Sequence, residues 1–198
     1  MENKQFFQDL KKVYLLSGYD IGVVNEEEFN IFKKYSIDFP KNWFHLDENI
    51  NFFLLKKKIV IIVLPTIKKK NIKIFSKKLS SFYHKIKYKY KNLPIIVISA
   101  LGYYMEKELL NNVKEIEILF GSGDGPGFSG ELVNNQSTLW VRPYSKGKAV
   151  NYVDIKDYIS FLKTKKWIYK KNIYWKVFGL GDDIKDDQMI KDIVKRMR

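Results

Sequence analysis

The stretch LPIIVISALGYYMEKELLNNVKEIEILF, residues 93–120, decides the fold class. Residues 93–101 form a run that is apolar but for Ser99, long enough for a strand and too short for a buried helix. Gly102 closes it. Residues 104–113 then carry apolar side chains at helical spacing, and residues 116–120 return to a run that is apolar but for Glu117. A strand covered on both faces reads as a continuous apolar run, as parallel sheets require. Strand, helix and strand in this order make a parallel crossover unit.

Reading backwards, residues 67–90 place Ile72, Phe75, Leu79, Phe82, Tyr83 and Ile86 on one helical stripe with a lysine-rich back. Before it, IVIIVLP at 59–65 is β-branched and apolar on both faces. It pairs in the expectation with a strand at 52–55 through a lysine turn. The first residues give an amphipathic helix at 3–16, stopped by Gly18, and a short strand at 19–24. Asn25 is an N-cap ahead of Glu26, Glu27 and Glu28, and a helix runs to about Tyr35, with Pro40 closing the unit.

Reading forwards, residues 121–130 (GSGDGPGFSG) hold the one glycine-rich stretch. Residues 137–144, 149–154 and 172–178 alternate as antiparallel strands, with turns at 145–147 and 164–166. Residues 182–198 form a helix, acidic at its start and basic at its end. The expected architecture is α/β: a central, mostly parallel sheet flanked by helices, with an antiparallel C-terminal portion. It forms a single domain over 1–198, in which 1–130 are the α/β core, 131–181 the antiparallel strands and 182–198 the last helix.

At 198 residues with 45% hydrophobic side chains, the chain can bury a core without a metal or disulfide. The absence of cysteine excludes disulfides, zinc–thiolate sites and thiol catalysis. The N-terminus has no apolar signal core and the longest apolar run is too short to span a bilayer. The default expectation is therefore a cytoplasmic protein with no membrane span. A periplasmic origin would follow if the start were a processed end.

The net charge is +14 and the pI near 9.6, which suits an anionic partner. Only three of the 36 basic residues are arginine, however, and lysine comes with abundant Ile, Asn and Tyr. An AT-rich coding composition produces the same mix, and it is the simpler account. Were the charge functional, the anion-binding candidates would be Lys68, Lys69, Lys70, Lys73, Lys77 and Lys78. Tyr83, Tyr88 and Tyr90 stand among such lysines and could stack bases or pack on the sheet.

Motifs for catalysis are weak. The glycine stretch lacks the Lys-Ser/Thr of a phosphate loop and comes too late for a dinucleotide fingerprint. Ser99, Ser122 and Ser129 have no nucleophile-elbow context. The two histidines, His45 and His84, have no second ligand at helical or hairpin spacing. No cofactor is expected.

Several segments, in order, resemble the 5′-nucleotidase family, whose N-terminal domain is a calcineurin-like metallophosphatase. Residues 18–29 (GYDIGVVNEEEF) are similar in frame to the family's Asn-His-Glu segment, and Phe39-Pro40 to the start of its next motif. Residues 58–64 resemble a core strand and 96–102 (IVISALG) the strand ending in Ser-His-Leu-Gly. Residues 115–124 (EIEILFGSGD) are similar to the strand and loop bearing paired histidines, 140–155 to the following edge strands and 184–190 to a helix start. The resemblance implies a phosphatase scaffold without its chemistry. The Asn-His-Glu histidine is absent, Ala100 stands for the next, and the paired histidines fall near Ser122 and Asp124. The family's first two ligand segments would precede residue 1. Only Asn25 and Asp124 remain as ligand remnants, against roughly six ligands in a two-metal site.

The resulting expectation is a degenerate, N-terminally shortened relative. It would act as a protein-interaction or structural module in an oligomer or complex, leaning away from enzyme activity, with no catalytic residues. A basic nucleic-acid or polyanion-binding protein is the alternative, and a residual metal-dependent phosphoesterase the second.

Overall fold

Apolar runs form the centre of the main sheet. The computed structural model describes residues 4–41, 43–46, 48–144, 148–181 and 184–197. The turn expected at 145–147 and the acidic pair Asp182 and Asp183 lie outside the described residues. The chain divides into two compact units, Met1–Asp47 with Asp182–Arg198, and Glu48–Gly181.

In the first unit, helix α1 (Lys4–Leu16) precedes strand β1 (Gly22–Val24), helix α2 (Glu26–Lys34) and strand β2 (Trp43–His45). Strands β1 and β2 pair in parallel. Tyr14 meets Trp43 edge-on, and Phe39 meets Phe29, Phe32 and Trp43. Strand β2 was not foreseen, because three half-buried residues carry no readable alternation.

In the second unit, β3 (Asn51–Leu55) and β4 (Ile59–Val63) form a hairpin through Lys56 and Lys57, both at positive φ. A 3₁₀ turn at Lys69–Asn71 leads into α3 (Ile72–Lys89), and β5 (Ile95–Ser99), α4 (Tyr103–Asn112) and β6 (Ile118–Gly121) follow. Next come β7 (Phe128–Val133) and β8 (Thr138–Arg142). Strand β9 (Ala149–Ile155), helix α5 (Tyr158–Thr164) and strand β10 (Ile173–Gly179) complete this unit. Helix α6 (Gln188–Met197) belongs to the first unit and packs on α1.

The architecture is mixed α/β: a six-stranded mixed sheet, β3-β4-β5-β6-β8-β7, flanked by helices. Strands β4, β5, β6 and β8 are parallel, and β3 and β7 are antiparallel edges. Val60, Ile62, Ile95, Val97 and Leu119 share one core with Ile72, Phe75, Leu79 and Tyr83 of α3 and Leu109 and Leu110 of α4. Alternate residues Ile61, Val63, Ile118 and Leu139 are buried as well, which explains the lack of polar alternation.

Three expectations are corrected. Residues 138–142 do not lie in an antiparallel side portion. They form β8, which enters the main sheet parallel to β6, and all five residues are buried. Residues 128–130, read as glycine loop, begin edge strand β7. Residues 158–164, unassigned from sequence, form α5, whose start is capped by the Asp157 carboxylate accepting from Ser160 N. Antiparallel pairing in this part of the chain is that of β7 with β8 at the edge of the main sheet and of β9 with β10 in a separate two-stranded sheet. Among the described residues, no helix is long and apolar enough to cross a membrane.

Candidate functional site

In a parallel sheet the loops at the carboxyl ends of the strands are where ligands bind. Here two such loops, after β5 and after β6, are bonded to one another. Ser122 Oγ donates to Ser99 O at 3.0 Å, Gly102 N to Ser122 O at 3.0 Å and Tyr103 N to Asp124 O at 2.8 Å. A helix N-terminus normally offers such N–H groups to an anion. At the start of α4, carbonyls of the neighbouring loop take two of them, those of Gly102 and Tyr103, instead.

Beneath this closure lies a buried ion pair. Glu106 is fully buried and Arg142 nearly so, and Arg142 Nη1 meets Glu106 Oε2. The guanidinium also donates from Nε to Pro126 O (3.0 Å), and from Nη2 to Gly123 O (2.9 Å) and Asp124 O (3.0 Å). Glu106 accepts further from Ser122 N at 3.1 Å and Trp140 Nε1 at 3.2 Å. Arginine alone has a planar fork able to hold one carboxylate and three carbonyls together. Two glycines permit the approach: a Cβ on Gly121 would collide with the Glu106 carboxylate, and Gly123, at φ +82°, would bring one within 3.0 Å of Ala100 O.

The two residues that the resemblance gives as ligand remnants fall in different units. Asp124 is exposed in the loop after β6, with its carbonyl held by Arg142 and Tyr103. Asn25 caps α2: its side chain accepts from Glu28 N at 2.8 Å, and Glu28 Oε2 accepts from Asn25 N at 2.9 Å. This reciprocal capping box accounts for both side chains. His45 Nε2 lies 2.6 Å from Glu26 Oε2, with the ring stacked on Phe29. Among the described residues, no three His, Asp or Glu side chains gather as a metal-holding group.

All six anion-binding candidates are exposed. Lys68, Lys69 and Lys70 are exposed at the 3₁₀ turn, and Lys73, Lys77 and Lys78 along α3. Lys73 and Lys77 line a groove of about 510 Å³ with Ser76, Ser80, Ser81, His84 and Asn112 of α4. At its wall Glu115 accepts from Ser80 Oγ and lies 3.3 Å from His84 Nε2. Of the three tyrosines, Tyr83 is buried, Tyr90 half-buried and Tyr88 90% exposed.

A second buried hub sits where β6 begins. Glu117 is bound by Lys87 Nζ at 2.6 Å, by Tyr158 Oη at 2.8 Å and by Ile95 N at 3.2 Å. Its own N–H donates to Tyr83 Oη, and Trp167 Nε1 donates to its carbonyl. Burial, and secondly the Glu117 charge, push the Tyr83 and Tyr158 hydroxyls well above the ordinary phenol range. Lys87 is thus a structural lysine, unlike Lys73 and Lys77.

Sequence reasoning missed both hubs. One signal was available: Arg142, one of three arginines, stands inside the apolar run TLWVR, where a charge needs a partner. A second missed signal concerns the lysines. Residues 49–105 contain 13 lysines and no Asp or Glu, so that stretch carries +13. The remaining residues, 23 basic against 22 acidic, amount to +1. No family model matches the chain, and no curated protein matches its sequence.

Proposed function

We propose that the chain is a non-catalytic, metallophosphatase-like scaffold that works as an interaction module within a complex or oligomer. The observation that carries this reading is the closure of the loops after β5 and β6. A two-metal phosphatase needs imidazoles and carboxylates converging on an open space at these strand ends. Here main-chain hydrogen bonds and the Arg142 fork occupy that position, and Ala100, Ser122 and Asp124 stand where the resemblance puts histidines. Asn25 and Glu28 are committed to a helix cap, which also weakens the case for a residual phosphoesterase.

The test is metal analysis of the purified chain by mass spectrometry, with hydrolysis of bis-p-nitrophenyl phosphate and nucleoside monophosphates in added manganese. Substoichiometric metal and no turnover above buffer are expected. Stoichiometric metal with chelator-sensitive turnover would overturn the reading.

A further inference from the structure

We propose that the lysine face of α3, centred on the groove it forms with Asn112 of α4, binds the phosphodiester backbone of single-stranded nucleic acid without reading base sequence. This goes beyond the scaffold reading and stands whether or not the ancestry is that of a phosphatase.

The first support is where the charge lies. A composition bias acts on the whole chain, yet nearly all of the net charge is confined to residues 49–105. Within that stretch the fold separates Lys87 from Lys73 and Lys77. Lys87 is spent on Glu117, whereas Lys73 and Lys77 make no hydrogen bond or ion pair with the described residues. An exposed cationic face without internal partners attracts a polyanion and gains from release of its counterions.

Geometry supplies the second support. Lys73, Lys77, Ser81 and His84 recur at intervals of four or three residues, so they form a row on one side of α3 with about 5.4 Å between turns. The row opens onto the groove, which gives a chain of phosphates a track. Tyr88 lies one turn beyond His84 on the same side, and its ring is 90% exposed, free to stack on an unpaired base. The hairpin turn Lys56–Lys58 and residues Lys85, Lys89 and Lys91 extend the basic surface, since α3 runs back to the end at which β4 starts. Glu115 bounds the groove at one place, where His84 and Ser80 already engage it.

The residue type sets the selectivity. All 13 cations are lysines, which act as point charges on flexible stems and lack the bidentate fork used on base edges. Backbone contacts position a nucleic acid and carry no sequence information. A membrane surface fits less well. The apolar stripe of α3, from Ile72 through Ile86, is buried in the core and cannot enter an acyl layer.

The test uses the whole chain and fluorescein-labelled 20-mers of oligo(U), oligo(dT) and mixed sequence, with anisotropy read from 50 to 300 mM KCl. Binding should be similar for all three and weaken with salt at about 0.7 log units per log unit of salt for each phosphate contacted. Lys73→Glu with Lys77→Glu should weaken it about tenfold or more and flatten the salt slope. The same charge change at Lys163 and Lys166, on and just after α5, should cost less than about threefold, because it leaves the face intact. Tyr88→Ala should weaken binding about fivefold with the slope unchanged. Each variant is exposed, and circular dichroism will show that it folds. Three results would overturn the proposal: no binding at 50 mM KCl, equal weakening by both charge reversals, or capture of phosphatidylserine vesicles by a chain that leaves the oligonucleotides free.

Discussion

Arg142 holds together more of the second unit than any lysine does. Removing it leaves the Glu106 carboxylate buried without its countercharge and frees three loop carbonyls. Breaking a buried pair by deleting one partner costs about 3–5 kcal/mol. Arg142→Met should therefore lower stability by about that amount in urea unfolding, and Glu106→Gln in the same chain should recover part of it. The second hub sets a pH response. Tyr83 and Tyr158 have folded-state pKa values raised above those of an unfolded chain. Their contribution is complete below about pH 10 and is lost progressively at higher pH, as only the unfolded chain ionises. Tyr158→Phe removes one of these groups and a hydrogen bond to a carboxylate. It should cost about 1.5–3 kcal/mol at pH 7 and make the alkaline decline shallower, measured by urea midpoints from pH 7 to 11.

At the scale of elements, helix caps and apolar runs were legible because they act locally. The Asn25 N-cap, the Gly18 stop, the hairpin at 56–58 and the buried runs of β4, β5 and β6 follow from a few neighbouring residues. Asn25→Ala should cost about 1 kcal/mol by thermal or urea unfolding while leaving metal content unchanged, because its side chain serves α2. Strand β8 was recognisable as a strand, but its place was not. Its parallel partner β6 lies on the far side of β7 in sequence, and only the completed sheet puts β8 between them. The Glu106–Arg142 contact joins residues 36 apart and was illegible for the same reason. The lysine row on α3 was visible as a helical pattern. What separates Lys73 from Lys87 is the position of Glu117, which the pattern does not contain.

For the whole molecule, the division into two units makes stability a local quantity. Ile193 of α6 is buried, and α6 packs on α1 in the first unit. Ile193→Ala should remove about 2–5 kcal/mol there. Hydrogen exchange would show it as lost protection of α1 and α6 amides, with those of β4, β5 and β6 retained.

The discontinuity of the first unit also fixes an order of events at the ribosome. Its opening segment, through Asp47, is made first, yet α6 is made last among the described elements. The second unit, Glu48–Gly181, lies between them. At about 5–20 residues per second, α1 waits on the order of 10 s for its helical neighbour. During that wait α1 lacks α6, though Phe7 can already meet Tyr35 and Tyr14 can meet Trp43, while the intervening sheet has all of its strands. Synthesis thus completes the second unit before the first has its last helix, against the usual order in which the earlier part of a chain settles before the later.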